Sequence, residues 1–109
     1  MKDYVLFIGN MGNDPKISLK PTKKGDKEFV SFSFMTYGNN FRKFHPCVAW
    51  GVTARTIFQY LKKGDFAVIE GFHMYNDWTD KQGTKHYTTD ITVIKVYFDK
   101  KGKEISDES

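Results

Sequence analysis

The sequence predicts a mainly β fold. The expected form is a five-stranded Greek-key barrel with one α-helix between strands 3 and 4 and an extended hairpin between strands 4 and 5. Three observations predict it. Short runs alternate apolar and polar residues, most strictly "FVSFSFMT" at 29–36, which is the period of a strand with one wet face. A single stretch, "TARTIFQYLKKG", carries the i, i+3, i+4, i+7 apolar spacing of a helix. The signals come in the order three strands, one helix, two strands.

The 109 residues suffice for one domain with a modest core, expected over 1–99, followed by a short polar tail at 100–109. Hydrophobic residues make up 39% and charged residues 28%, the balance of a globular chain. No apolar run approaches the ~20 residues that span a bilayer, and Met1-Lys2-Asp3-Tyr4 does not open a signal peptide. No membrane partner and a cytoplasmic location are therefore expected. The single cysteine, Cys47, excludes an internal disulfide and fits a reducing compartment.

The first run, "DYVLFIGNMGNDP", is a strand with apolar residues of both parities, Tyr4, Leu6 and Ile8 on one side and Val5 and Phe7 on the other. A strand apolar on both faces is covered on both, and a second subunit is one way to cover the outer one. "KISLKPTKKGDKE" is an extended piece ending in a lysine-rich turn. It reads as a solvated loop, with phosphate contact the minority reading. In 29–36, Val30, Phe32 and Phe34 face inward and Ser31 and Ser33 outward. "YGNNFRKF" reads as a short polar connection turning at Gly38-Asn39-Asn40. "FHPCVAWG" is the third strand, with Pro46 at an edge, a bulge or the strand's beginning.

In the helix, Thr53 is the expected N-cap, Ala54, Ile57, Phe58 and Leu61 the buried face, Lys62 and Lys63 the C-terminal cations and Gly64 the C′ residue. "DFAVIEGFHMYNDW" is a long strand in which Gly71 permits a barrel corner. "HYTTDITVIKVYF" is the last strand, beginning with outward threonines and ending with Ile94, Val96 and Phe98. Five strands with a helix between the third and fourth is the order of the OB-fold.

Function is read from what the core cannot absorb. Aromatics reach 17% and net charge is +4, so some rings belong on the surface and polyanions are favoured partners. Alternation puts Phe44, Pro46, Val48 and Trp50 on one face of the third strand, with Cys47 and Ala49 inward. Phe41, Arg42, Lys43 and Phe44 set two cations between two aromatics, and Tyr75, Trp78, Lys81 and Lys85 repeat that chemistry in the second hairpin. Single-stranded nucleic acid is a chain of flat bases joined by phosphates. Rings stack on the bases, worth about 1–3 kcal/mol each, and Lys or Arg neutralises the backbone. Such a surface binds with little sequence preference.

Four segments give this reading a resemblance. "VLFIGNMGNDP", "FHPCVAWG", "YLKKGDFAVIEG" and "WTDKQGTKHYTT" resemble, in the same order, conserved segments of the bacterial and phage single-stranded DNA-binding proteins, and they span residues 4 to about 94. The resemblance implies an OB-fold that binds single-stranded DNA during replication, recombination and repair, without enzymatic activity. It implies base stacking by Phe44, Trp50 and Trp78, with Phe41 the substitute for a further stacking residue. It places His45 at a position associated with subunit packing. A homotetramer, or a dimer, is the implied assembly, and a bacterial cell or phage-infected host, with association to the nucleoid, the implied setting.

The chain departs from the family's pattern in three places. The connection between the second and third strands is shorter. Asn76 and Asp77 stand where basic residues often precede the hairpin Trp, and Pro46 replaces another cation, so phosphate contacts shift to Arg42, Lys43, Lys81 and Lys85. The family's acidic tail tipped with Pro-Phe has no counterpart in the closing Ile-Ser-Asp-Glu-Ser, and replication or recombination proteins are partners expected without it. The alternatives are a primosome-type accessory protein of the same fold and an RNA-binding OB module.

No cofactor or metal is expected. His45, His73 and His86 are scattered, no Cys-x-x-Cys or His-Glu-x-x-His spacing occurs, and no glycine-rich phosphate loop is present. Asp77, Asp80 and Asp90 lie near one hairpin, but the chain's arginines are Arg42 and Arg55, too few to complete a clustered nuclease site. Cys47 reads as a small core residue.

Overall fold

Strand pairing closes this chain on itself. A computed structural model describes residues 3–99; the expected tail at 100–109 lies outside the described residues. The elements are β1 (Asp3–Met11), β2 (Lys16–Thr22), β3 (Gly25–Gly38), β4 (Phe41–Trp50), α1 (Gly51–Tyr60), β5 (Phe66–Thr79) and β6 (Lys85–Tyr97). The sheet runs β1-β5-β6-β4-β3-β2, and β1 also pairs with β3, which closes β1, β5, β6, β4 and β3 into a five-stranded barrel. These are the five strands the sequence predicts, with the helix between the third and fourth of them.

The sixth strand is a correction. The extended piece at 16–22 is a regular strand, hairpinned onto β3 from Lys16↔Ser31 to Thr22↔Gly25. β1 takes the next stretch of the same β3 edge, at Met11↔Phe34 and Asn10↔Met35. Thus β1 and β2 share one edge, separated by the Gly12–Pro15 break.

The "YGNNFRKF" connection is also mostly strand. β3 and β4 pair without interruption from Phe29↔Trp50 to Gly38↔Phe41, leaving a two-residue turn at Asn39–Asn40. Asn40 has φ 67°, a left-handed conformation that asparagine tolerates better than most residues.

The core follows the alternation. Val30, Phe32, Phe34, Cys47, Ala49, Ala67, Ile69, Ile91 and Val93 point inward, and Ala54, Ile57 and Leu61 plug the barrel from α1 and its end. Gly71 marks the barrel corner as expected. The β5–β6 register shifts between Glu70 and Gly71, and a Cβ on Gly71 would lie 2.1 Å from the Thr92 carbonyl oxygen. Beyond the bulge the inward parity of β6 changes, so Ile91 and Val93 enter the core while Ile94 is exposed.

The helix starts earlier than its sequence signals. Gly51, at φ 62°, turns the chain straight out of β4, so the N-cap is Trp50 and no side chain caps the helix. Thr53 is an internal helical residue. The helix closes at Tyr60 with Leu61 as C-cap, so Lys62, Lys63 and Gly64 lie in the following loop. There Asp65 Oδ2 accepts from the Lys62 N–H and Asp14 Oδ1 from the Lys63 N–H, each at 2.8 Å. Phe58 turns outward, with the Lys62 ammonium 5.9 Å from its ring centre. No helix among the described residues is long and apolar enough to cross a membrane.

The described chain has a radius of gyration of 15.7 Å, against about 13 Å for a compact domain of 100 residues. The excess comes from long hairpins that leave the barrel, β2–β3, β3–β4 and β5–β6.

Candidate nucleic-acid interface

β4 carries the centre of the site because its pairing on β3 is regular. Phe44 and Trp50 are on its outward face, 53% and 38% exposed, as alternation requires. They are six residues apart, about 20 Å along the strand. Trp50 is braced by Phe29, its partner on β3, with ring centroids 4.6 Å apart and planes at 62°. Burial and the nearby Asp90 carboxylate push the thiol of inward-facing Cys47 far up, which makes it a poor nucleophile.

The same regularity divides the cluster at 41–44. Arg42 shares the face of Phe44, whereas Phe41 and Lys43 project from the other. The ring of Phe41 folds over Gly38, where an added Cβ would lie 2.5 Å from it. Tyr37, exposed and paired with Arg42, occupies the Phe44 side. Sequence reasoning missed Tyr37 because the segment was taken for a loop. Once strand pairing across Asn39–Asn40 is assumed, its parity places it.

The second hairpin is divided too. Trp78 pairs with His86, while Tyr75, Tyr87 and Lys85 project from the opposite side of the ribbon. Tyr75 donates to Asp3 Oδ2 at 2.9 Å, which ties it to the start of β1 and pushes its phenol up. Lys81 lies in the turn. Trp78 is 52% exposed, and His86 stacks on it with centroids 4.3 Å apart and planes at 19°. His86 Nε2 in turn donates to Asp80 Oδ2 at 2.8 Å. Asp80 Oδ1 accepts from the backbone N–H groups of Gln82 and Thr84, both at 2.9 Å. The His86 bond, then the turn amides, hold the Asp80 carboxyl below the usual carboxylate range. Asp80 therefore fixes the turn and His86, and His86 fixes one face of Trp78. The other face is left for a ligand.

An open depression beside Phe44 links the two aromatic regions. Asn13, Lys16, Ser31, Ser33 and Asp90 line it. Asp90 lies on the parity of His86 along β6, so the surface runs from Phe44 toward the Trp78 hairpin. Asn13 Oδ1 accepts from the Ser33 N–H at 2.9 Å, which holds the β1–β2 break against β3.

His45 is half-buried on the opposite side of β4. Its ring stacks on Phe7 at 4.2 Å, and Nε2 shares a hydrogen bond with Thr36 Oγ1 at 2.9 Å. Burial, then the Lys43 and His73 charges, lower its pKa. Among the described residues no group of three or more His, Cys, Asp or Glu side chains is placed to hold a metal ion. Asp77 lies on the parity opposite Asp80 and Asp90, so the hairpin acids do not converge.

A second exposed surface lies on β1. Val5 and Phe7 pack toward the core, while Tyr4, Leu6 and Ile8 are 54%, 51% and 59% exposed on the other side. Tyr4 and Tyr97 both donate to the Glu70 carboxylate in their midst, and the Tyr4 phenol is pushed up to about 12 mainly by that bond.

These features have counterparts in known proteins. The chain matches the single-strand binding protein family over residues 2–99. It is 37% identical over 98 residues to the "Single-stranded DNA-binding protein 1" of Chlorobaculum tepidum, an alignment covering 80% of this chain and 58% of that protein. It is 29% identical over 92 residues to the "Single-stranded DNA-binding protein" of Malacoplasma penetrans, covering 84% and 49%. The chain thus spans about half the length of the curated relatives it matches. With the barrel, its single helix and the family match over residues 2–99 in agreement, the chain belongs to the single-strand binding protein family.

Proposed function

We propose that this chain binds and protects single-stranded DNA without sequence preference during replication, recombination and repair. One observation carries the proposal: Phe44, Trp50 and Trp78 are large rings held half-exposed on paired strands, not collapsed into the core. Each offers a stacking platform to a base, and Arg42 beside Phe44 offers charge to a phosphate. Phe41, Lys43, Tyr75, Lys81 and Lys85 are proposed as peripheral contacts, because they leave from other faces or from the turn. The names of the two relatives support DNA as the ligand. The activity is binding without a chemical step, and the cytoplasm is its proposed place.

Self-association belongs to the same proposal. Tyr4, Leu6 and Ile8 form an apolar stripe on a strand whose other face is already packed, and a second copy of the chain covers such a stripe at low cost. A homotetramer or dimer follows.

Titration with oligo(dT) tests the binding, because both tryptophans lie in the proposed site. Intrinsic fluorescence is expected to fall at low salt with micromolar protein. An unchanged signal rejects the proposal. Competition with the matching RNA oligomer separates it from an RNA-binding role, which predicts RNA as the better competitor.

A further inference from the structure

We propose that the β2–β3 hairpin is a phosphate-binding arm that continues the nucleic-acid track past Trp50, with Lys20 and Lys27 as its gripping pair. The inference rests on the nucleic-acid reading of the Phe44–Trp50 face and adds a subsite to it.

Register places the pair. Ser18, Phe29 and Trp50 are cross-strand neighbours and form one row over β2, β3 and β4. Two residues further along the hairpin, Lys20 is opposite Lys27. Alternation puts these lysines on the same face as Phe29 and Trp50, about 7 Å beyond them. The side chains join up in space. The Lys20 ammonium lies 5.2 Å from the centre of the Phe29 ring, whose edge packs on Trp50. A base stacked on Trp50 thus has cations at the distance where its backbone leaves the ring.

Charge is sorted by face. Lys16, Lys20 and Lys27 project on the Trp50 side. Asp26 and Glu28 project on the other, where Glu28 is bound to Arg55 at 2.7 Å. Five of the twelve residues from Lys16 to Lys27 are lysine, and Lys23 and Lys24 continue the charge to the tip. Like charges directly opposite each other across an antiparallel ladder repel. A phosphate between Lys20 and Lys27 offsets that repulsion and releases counterions from the strand. Lysines also blunt an exposed edge strand such as β2. Edge protection, however, requires neither the removal of both acids to the far face nor the contact through Phe29 to Trp50.

The test compares the salt dependence of oligo(dT) binding by the wild type, K20Q/K27Q, K20R/K27R and the charge-matched control K62Q/K63Q, whose lysines follow α1. Each lost phosphate contact lowers the slope of log K against log salt by about 0.7 on a single strand, so K20Q/K27Q lowers it by about 1.4. Between 50 and 200 mM salt the wild type then loses about sevenfold more affinity than this variant. Maximal tryptophan quenching at low salt stays unchanged, K20R/K27R keeps the wild-type slope, and the control does too. A wild-type slope in K20Q/K27Q overturns the arm while leaving the stacking site standing. So does an equal loss in the control, which reports only overall charge. Aggregation of K20Q/K27Q with an unchanged slope assigns the lysines to edge protection instead. Absence of quenching in the wild type rejects the nucleic-acid reading, and the arm with it.

Discussion

His86 lies flat on Trp78, 4.3 Å between ring centroids, and is itself held by Asp80. A half-exposed tryptophan at a hairpin edge would otherwise sample several rotamers, and immobilising it on binding costs free energy. The stack supplies that order in advance. Trp78→Ala is expected to weaken oligo(dT) binding by about 1–3 kcal/mol, the worth of one base–ring stack. The melting temperature should stay nearly constant, since Trp78 is not core. His86→Ala should cost less affinity than Trp78→Ala, and His86→Phe, which keeps a ring on Trp78, less still. Fluorescence titration and thermal melts of the variants check this.

Acid should loosen the hairpin tip. The folded-state pKa of Asp80 is depressed, first by His86 and then by the Thr84 amide. Its contribution is therefore present above the ordinary carboxylate value of 3.8 and is lost as pH falls through the lower folded value. Amide exchange at Gln82 and Thr84, measured by NMR, should quicken relative to the barrel in that window. Asp80→Ala should show the quickened behaviour already at neutral pH.

His45 gives a second pH dependence, at milder acidity. Burial, with help from the Lys43 and His73 charges, lowers its folded pKa below the ordinary 6.5. The unfolded chain takes up the proton first, so the stabilisation is complete above 6.5 and declines as pH falls through the folded value. Melting temperature should drop between neutral pH and pH 5, and His45→Gln should flatten that part of the profile.

Cys47 should be inert in the native state. It is buried against Ile91, its neighbour across the parallel β4–β6 pair, and its thiol is held protonated by burial. Thiol-specific reagents should label it only at the rate of unfolding. Rapid native labelling would mean that the β4–β6 seam opens.

The β1 stripe predicts its own disruption. Leu6→Glu and Ile8→Glu place carboxylates on a surface proposed to be dry in the assembly, next to Glu70 across the β1–β5 ladder. Sedimentation should give a mass near the 12.7 kDa of one chain for these variants and a multiple for the wild type. The barrel should remain folded, since Leu6 and Ile8 lie outside the core.

The sequence by itself determined the order of elements, the inward Val30–Phe32–Phe34 and Cys47–Ala49 rows, the outward Phe44 and Trp50, and the exposed Trp78. All of these are local, because an alternation of two is visible within a few residues. The β1 stripe was equally legible as apolar residues of both parities. What crosses strands was not. Helix start, for example, was set by Gly51 turning out of β4 instead of by the Thr53 hydroxyl. Whether "KISLKPT" was a loop or a strand depended on β3 offering an edge beyond the reach of β1. Only that pairing aligned Lys20 and Lys27 with Trp50, and only the tight Asn39–Asn40 turn separated Phe41 from Phe44 and brought Tyr37 beside Arg42. The His86 stack on Trp78 lies between these cases. The two are equidistant from Gln82, so a symmetric hairpin pairs them, but ring-on-ring contact required the twist and the Asp80 bond. Faces are written in the period of a strand; neighbours are decided by register, which the closing of the barrel sets.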